Sequence, residues 1–212
     1  EGSDVITLAH EINEENVTVL EQGNDIAFFS CENYEVKDIL IPIVSNALEK
    51  GYSIKDIQVL APMYGGVAGI DALNNTLQKV LNPQDGYKDE IKVGYRVFRV
   101  GDKILQLKNQ PDENVYNGDI GEIIAIEYAD ENALSKNVIL ADFDGNFVEY
   151  SGEQISNITH AYCISIHKAQ GSEYPIVIMP VVKDYAFMLS KRLLYTGVTR
   201  AKKSLVLLGS KE

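Results

Sequence analysis

Apolar positions along this chain follow two different patterns. Val36, Ile39, Leu40, Ile43, Val44, Ala47 and Leu48 recur at helical spacing and predict a helix over 36–48, despite Pro42, with Gly51 ending it. Ile57-Gln58-Val59-Leu60-Ala61 reads as a buried strand stopped by Pro62. Gly65, Gly66 and Gly69 make a loop, and a second helix runs from Ile70 to Leu81 and stops at Asn82-Pro83. Upstream, Ser3 can cap a helix carrying Val5, Ile6, Leu8, Ala9 and Ile12, and Ile26-Ala27-Phe28-Phe29 is a short strand. This strand–loop–helix succession is the grammar of an α/β fold with a parallel sheet.

After Pro83 the period changes from helical to alternating. Short strands are expected at Tyr95–Phe98, Lys103–Leu107, Ile120–Tyr128, Asn137–Phe143 and Phe147–Tyr150. Turn signals separate them: Gly101-Asp102, Asn117-Gly118-Asp119 and Asp144-Gly145-Asn146. A meander of this kind closes most easily into a small all-β barrel. From about residue 158 the α/β pattern returns, with strands at Ala161–Ile166, Ile176–Met179 and Ser204–Leu208 and helical segments within Phe187–Thr196. The expected organisation is a parallel-sheet domain in two parts, 1–90 and 159–212, with an all-β insertion at 91–158.

Composition narrows the class. At 212 residues, 45% hydrophobic and 24% charged, the chain can bury a sizeable core. No apolar run reaches the ~18 residues of a membrane span, so no membrane partner is expected. Glu1-Gly2-Ser3-Asp4 has neither the basic nor the apolar part of a signal peptide, and the missing initiator Met fits an excised or internal fragment. A cytoplasmic location is the expectation. Two cysteines and three histidines without ligand-like spacing predict neither a disulfide framework nor a metal site.

The net charge of −12 argues against a simple nucleic-acid coat protein. The distribution qualifies that. Residues 109–160 hold eleven carboxylates against Lys136 alone. Cations gather at Lys88, Lys92, Arg96, Arg99, Lys103 and Lys108, and again at Lys183, Lys191, Arg192, Arg200, Lys202 and Lys203. A groove that tracks a phosphate backbone needs only local positive potential, although each of these side chains also fits a plain solvated surface.

The candidate chemistry lies near the C-terminus. Ile164-Ser165-Ile166-His167-Lys168-Ala169-Gln170-Gly171-Ser172-Glu173 runs from a strand into a polar turn. Further on, Tyr195-Thr196-Gly197-Val198-Thr199-Arg200-Ala201-Lys202 places an arginine between small residues ahead of the last strand. Such a layout suits a motor domain that senses both a nucleotide and a nucleic-acid strand. No phosphate-cradling G-x-x-x-x-G-K-[ST] loop occurs, so the chain reads as one half of such a machine. A Ser165–His167 nucleophile pair is the hydrolase alternative, but no third orienting group accompanies it.

Four stretches in order resemble RecD-like DNA helicases of superfamily 1B. Val59–Tyr64 with Gly69–Asn74, Leu77-Gln78 and Leu81-Asn82-Pro83 resembles their motif IV. Gly101-Asp102-Lys103 through Asn117-Gly118-Asp119-Ile120-Gly121 looks like the start of their SH3-like insertion. Ser165–Glu173 looks like motif V and Tyr195–Lys202 like motif VI. The resemblance implies the second RecA-like domain of the motor with its inserted SH3-like barrel. ATP and Mg²⁺ would be held mainly by an N-terminal RecA-like domain of the same parent chain.

By that resemblance Arg200 is the arginine finger, a permanent planar cation for charge spread over a transferring phosphoryl group. Gly171 and Glu173 lie beside the nucleotide, with a plain helix-capping carboxylate as the other reading of Glu173. Ser165 and His167 touch phosphates of single-stranded DNA, and Pro62, Met63 and Tyr64 line its path, Tyr64 as a stacking face or as a rim aromatic packed on its own domain. Two positions depart from the family: Ser165 replaces the usual Thr, and Gly65 stands where Lys or Arg is frequent. Implied partners are single-stranded DNA, the N-terminal RecA-like domain and RecB/RecC-type subunits. A non-catalytic docking or regulatory module of a DNA-repair nuclease/helicase complex is the alternative function.

Overall fold

A computed structural model describes residues 26–181 and 191–209. The helix expected after Ser3 lies outside the described residues, as does the first part of the helical stretch expected within Phe187–Thr196. In chain order the elements begin with β1 (Ile26–Ser30), α1 (Val36–Glu49), β2 (Ile57–Ala61) and α2 (Ile70–Leu81). Then follow β3 (Glu90–Val93), β4 (Arg96–Arg99), β5 (Lys103–Gln106), β6 (Ile120–Glu127), β7 (Val138–Phe143), β8 (Asn146–Ser151) and β9 (Ile158–His160). The last are β10 (Cys163–Ser165), β11 (Tyr174–Val181), α3 (Lys191–Val198) and β12 (Ala201–Gly209). Two compact units result: Glu1–Leu77 with Cys163–Glu212, and Gln78–Tyr162. Among the described residues no helix is long and apolar enough to cross a membrane.

The first unit is built on a five-stranded parallel sheet of order β1-β12-β11-β2-β10. All five residues of β2 are buried, as are Val177, Ile178 and Met179 in β11 and Leu205, Leu207 and Leu208 in β12. Strands covered on both faces read as continuous apolar runs, which is why these segments show no alternation. Helix α1 buries Val36, Leu40 and Val44 completely and continues through Pro42. Pro42 lies on the exposed side, where water can satisfy the carbonyl its missing N–H leaves open. Gly51, at φ +98°, ends the helix while Tyr52 N–H donates to the Ala47 carbonyl at 3.1 Å.

At the sheet edge β10 pairs with β2 alone, and a side chain stands in for the absent neighbour. The buried Asn74 amide of α2 donates to the Cys163 carbonyl at 2.9 Å and accepts the Cys163 N–H at 2.8 Å. This two-way pair copies one rung of a β-ladder and fixes the strand that ends at Ser165. Replacing Asn74 by alanine leaves a buried N–H and a buried C=O without that partner, so a loss of about 2–4 kcal/mol is expected. Urea denaturation of the two proteins measures it. The Cys163 thiol is sealed in the same interior, and burial pushes its pKa far upward, so it stays a neutral packing group.

The second unit is a five-stranded antiparallel sheet of order β8-β7-β6-β5-β9, with a separate β3–β4 ribbon. Ile91, Phe98, Ile104, Ile123, Ile139, Val148, Tyr150 and Ile158 belong to one buried cluster. A register shift between Ile123 and Ala125 bends β6. Gly121 has no room for a side chain, since a Cβ there would meet the Asp142 carbonyl oxygen at 2.8 Å.

Within this unit sits a buried polar cluster. Asp102 has no exposed surface. It accepts from Gln78 Nε2 at 2.8 Å, Asn82 Nδ2 at 2.8 Å, the Arg99 N–H at 2.8 Å and the Tyr162 hydroxyl at 2.7 Å. His160 Nε2 lies 3.2 Å from Asp102 Oδ2 and 2.9 Å from the Val97 carbonyl. Both neighbours are acceptors, so Nε2 carries the proton. Gln78 Nε2 donates to the same carbonyl at 2.8 Å, which accounts for its 3.3 Å approach to the imidazole. Burial alone would raise the Asp102 pKa, but the hydrogen bonds from His160, Tyr162 and Asn82 and the His160 charge outweigh it, and the carboxyl titrates below its ordinary range. Burial and the Asp102 charge hold the Tyr162 phenol far above its usual value.

Candidate functional site

The parallel sheet sorts the candidate residues into two groups at opposite strand ends. Ser165 closes β10 level with Ala61, the last residue of β2. Pro62, Met63 and Tyr64 continue from β2 at that same end, and Ile166 N–H donates to the Ala61 carbonyl at 3.2 Å. Pro62 is buried, Met63 half-buried and Tyr64 52% exposed. Their loop is folded tightly onto the start of α2. Ile70 N–H donates to the Met63 carbonyl at 2.9 Å and Asp71 N–H to the Tyr64 carbonyl at 3.2 Å. Gly69 permits this fold-back, because a Cβ there would sit 2.0 Å from the Gly65 carbonyl oxygen.

Ser165 is buried at 7% exposure and its hydroxyl accepts the Lys168 N–H at 3.1 Å. Its oxygen therefore caps the first turn after the strand and retains its own O–H as a donor. His167 follows on that turn and is exposed. The Ser165 acceptor role and the exposed imidazole form no mutual hydrogen bond among the described residues. That arrangement lacks the contact a nucleophile–base pair requires.

The turn then descends the sheet. Tyr174 begins β11 two residues before Ile176, which lies level with Ile57 at the start of β2. At about 3.3 Å per residue, Ser165 and Tyr174 stand on the order of 20 Å apart along the strand direction. Gly171, Ser172 and Glu173 therefore lie at the opposite end from Ser165, and all three are exposed. Gly171 adopts φ +82°, a conformation that favours glycine.

Arg200 joins this second group. It ends the turn between α3 and β12, and its carbonyl accepts the Tyr174 N–H at 2.9 Å. Its guanidinium is half-buried and held by three oxygens: Nε donates to the Thr196 carbonyl at 3.2 Å, one terminal nitrogen to the Ser172 carbonyl at 3.1 Å, and the other to the Thr199 hydroxyl at 3.3 Å. All three acceptors are neutral, and the contact with Ser172 is at the surface. None of the ion pairs found among the described residues includes Arg200. The guanidinium is thus oriented and still lacks a counter-charge among those pairs. Burial raises the pKa of the neighbouring Tyr174 phenol, while the Arg200 charge works against that rise.

Gly197 lets α3 lie close to the sheet. A Cβ on it would meet Met179 Sδ at 2.6 Å and two Ile166 carbons at 3.5 Å. The small residue of Tyr195-Thr196-Gly197-Val198-Thr199-Arg200 is therefore a spacer that sets how far the guanidinium stands from β11. Sequence reasoning picked out Arg200, Gly171 and Glu173 but missed Ser172, Thr196 and Thr199. Two of these act through backbone carbonyls, which leave no residue-type signal.

Residues 73–140 match the family model of the ATP-dependent RecD-like DNA helicase SH3 domain, and residues 160–208 that of the UvrD-like helicase C-terminal domain. The chain is similar to the ATP-dependent RecD2 DNA helicase of Deinococcus radiodurans, at 36% identity over 146 residues, covering 69% of this chain and 19% of that protein. It is also similar to the RecBCD enzyme subunit RecD of Buchnera aphidicola subsp. Schizaphis graminum, at 26% identity over 76% of this chain and 26% of the relative. Its fold resembles that of a Pif1 helicase from Bacteroides in complex with ADP-AlF3 and ssDNA, with a TM-score of 0.56 and 16% identity over 97% of this chain and 49% of that one. Two coordinating Pif1 helicases at forked dsDNA give the same TM-score, 0.56, at 18% identity over 98% of this chain and 47% of theirs. The chain thus spans 19% and 26% of the length of these curated relatives.

Proposed function

Because this chain belongs to the RecD-like helicase family, we propose that it is the second RecA-like motor domain of an ATP-dependent DNA helicase. The SH3-like domain is inserted at about 91–158, between RecA-like parts at 1–90 and 159–212. ATP and Mg²⁺ are bound mainly by an N-terminal RecA-like domain of the same parent chain, which supplies the phosphate loop this chain lacks. Arg200 reaches the terminal phosphate across the cleft, while Gly171 and Glu173 contact the nucleotide from the same strand end. Pro62, Met63, Tyr64, Ser165 and His167 contact single-stranded DNA at the other end. The machine works in the cytoplasm.

One observation carries this reading: the Arg200 guanidinium docks on the Ser172 carbonyl, between Gly171 and Glu173, with neutral acceptors only. Phosphate oxygens form charge-assisted hydrogen bonds about twice as strong as neutral ones, so a nucleotide drawn to this edge displaces the resting contacts. The finger then stabilises charge on the equatorial oxygens without any proton transfer. Because Ser172 shares its turn with the residues leading back to His167 and Ser165, movement of the finger is felt at the strand-binding end. The donor set fits one end of a triphosphate and cannot cradle a whole nucleotide.

The test compares two proteins. This chain alone should show no DNA-stimulated ATP hydrolysis, and the longer helicase containing it should turn over ATP. Hydrolysis by the isolated chain would overturn the assignment. A docking role toward RecB/RecC-type subunits is the second reading, supported by the similarity to RecBCD subunits.

A further inference from the structure

One edge of the second sheet is open. β8 pairs with β7 alone, in an unbroken register from Phe143–Asn146 to Val138–Ser151. Asp144 and Gly145, at φ +54° and +91°, form the two-residue turn between the strands, so Phe143 and Asn146 exchange both backbone hydrogen bonds. Every second pair repeats that exchange, and the same phase is kept where the Gly152 N–H donates to the Asn137 carbonyl at 3.0 Å. The N–H and C=O groups of Phe147 and Glu149 therefore point away from β7. Neither residue has a backbone partner on that outer side among the described residues. Both ends of the strand are occupied within the fold. Asn146 Nδ2 donates to the Glu113 and Asn114 carbonyls at 2.9 and 3.1 Å, and the Ser151 N–H donates to Gln154 Oε1 at 3.0 Å.

Exposed edges are ordinarily protected from pairing by proline, lysine, a bulge or short length. β8 is Asn146-Phe147-Val148-Glu149-Tyr150-Ser151, with no proline, lysine or bulge. Val148 and Tyr150 are buried, whereas Phe147 is 62% exposed and Glu149 is exposed on the solvent face. On that face Phe147 lies opposite Asp142, and Asp142 opposite Glu122. One uncovered aromatic ring thus stands among three carboxylates. Residues 109–160 hold eleven carboxylates, and Lys136 is their sole Lys or Arg. It lies past the end of β8, where a Cβ on Gly152 would meet Lys136 Cδ at 3.0 Å. Such a face repels phosphate chains. It also repels a second copy, which would bring its own Glu149 against the same carboxylates.

We propose that the β8 edge docks an extended, basic segment of a partner protein, added to the sheet as one further strand. The segment's backbone meets the outward N–H and C=O groups of Phe147 and Glu149. An apolar side chain opposite Phe147 and a Lys or Arg two residues away, opposite Glu149, set the preference. None of the residues assigned to nucleotide or DNA takes part.

The probe is a fluorescein-labelled eight-residue peptide in which valine and lysine alternate on one face and threonine fills the other. Its anisotropy with the full chain should show saturable binding that weakens as salt is added. Phe147→Ser should weaken binding about three-fold or more. Glu149→Lys should weaken it likewise and move the preference to the same peptide with glutamate in place of lysine. Hydrogen exchange read by NMR should slow at the Phe147 and Glu149 amides in the bound state but not at Val148, whose N–H already faces β7. An unchanged thermal midpoint for each variant shows that the fold is kept. No binding by the wild-type chain, equal affinity for the two peptides, or protection that fails to alternate overturns the proposal. Dimerisation of the wild-type chain that is lost in Phe147→Ser also overturns it, since a second copy then takes the edge. Displacement of the peptide by oligothymidylate does so too, by giving the face to nucleic acid. Each of these failures leaves the motor reading, carried by Arg200, intact.

Discussion

Replacing Arg200 by alanine in the proposed parent helicase is expected to lower DNA-stimulated ATP turnover by about 10³-fold or more. Binding of ATP itself should change little if, as proposed, an N-terminal domain supplies the phosphate loop. The lost stabilisation belongs to the transition state, so the fall appears in kcat rather than KM. Arg200→Lys should not restore the rate. A lysine ammonium is a point charge on a flexible stem, whereas the guanidinium meets Thr196, Ser172 and Thr199 with three separate nitrogens in one plane. Steady-state ATPase assays with saturating single-stranded DNA decide the matter. Turnover near that of the wild type in the alanine variant removes Arg200 from the chemistry.

The second large effect concerns stability. Asp102→Ala removes the acceptor shared by Gln78, Asn82, Arg99, His160 and Tyr162, all of which then face a dry interior. A loss of about 3–5 kcal/mol is expected, the size usual for taking one partner from a buried charged network. Urea denaturation at neutral pH measures it. Asp102→Asn keeps the shape and one acceptor oxygen, so its loss should be smaller. The same group predicts a pH dependence. The folded pKa of Asp102 lies below the ordinary 3.8, so its contribution is complete above that value and disappears as pH falls through the folded one. The stability difference between wild type and Asp102→Asn should therefore be constant near neutrality and shrink only in strong acid. A difference that grows on acidification contradicts the assignment of an ionised Asp102.

Much of the parallel sheet is visible in the sequence because its inner strands carry runs of apolar residues, Val59–Ala61 in β2, Ile176–Met179 in β11 and Leu205–Leu208 in β12. Residues 57–61 and 70–81 are expected and found as β2 and α2. Two strands of the second unit escape such reading. β3 is only Glu90-Ile91-Lys92-Val93, whose single fully buried side chain gives no clear alternation. β9 lies at the start of one apolar stretch, 158–166, that changes partner midway. Ile158–His160 pairs with β5, and Cys163–Ser165 pairs with β2. Hydropathy records burial but not the neighbour that causes it, so this division is invisible in one dimension.

The same limit applies to polar groups. Asp102 and His160 are fifty-eight positions apart, and nothing in their spacing indicates a shared proton donor and acceptor. Charge counting likewise treats Lys88, Lys92, Arg96, Arg99, Lys103 and Lys108 as one patch, although Lys88, Arg99 and Lys103 are held by the fold. Arg200 is legible because a rare residue type stands among small neighbours. What aims it is not, because two of its three acceptors are main-chain oxygens.

On the proposed reading this chain lends a cation to a phosphoryl group bound by another domain. The most direct test is the affinity of the parent helicase for ADP with Mg²⁺ and fluoroaluminate, compared with ADP and Mg²⁺ alone. With Arg200 present, the planar fluoride complex should bind far more tightly than ADP. In Arg200→Ala that advantage should vanish while ADP affinity is retained. An alanine variant that still prefers the fluoroaluminate complex as strongly as the wild type would contradict the account.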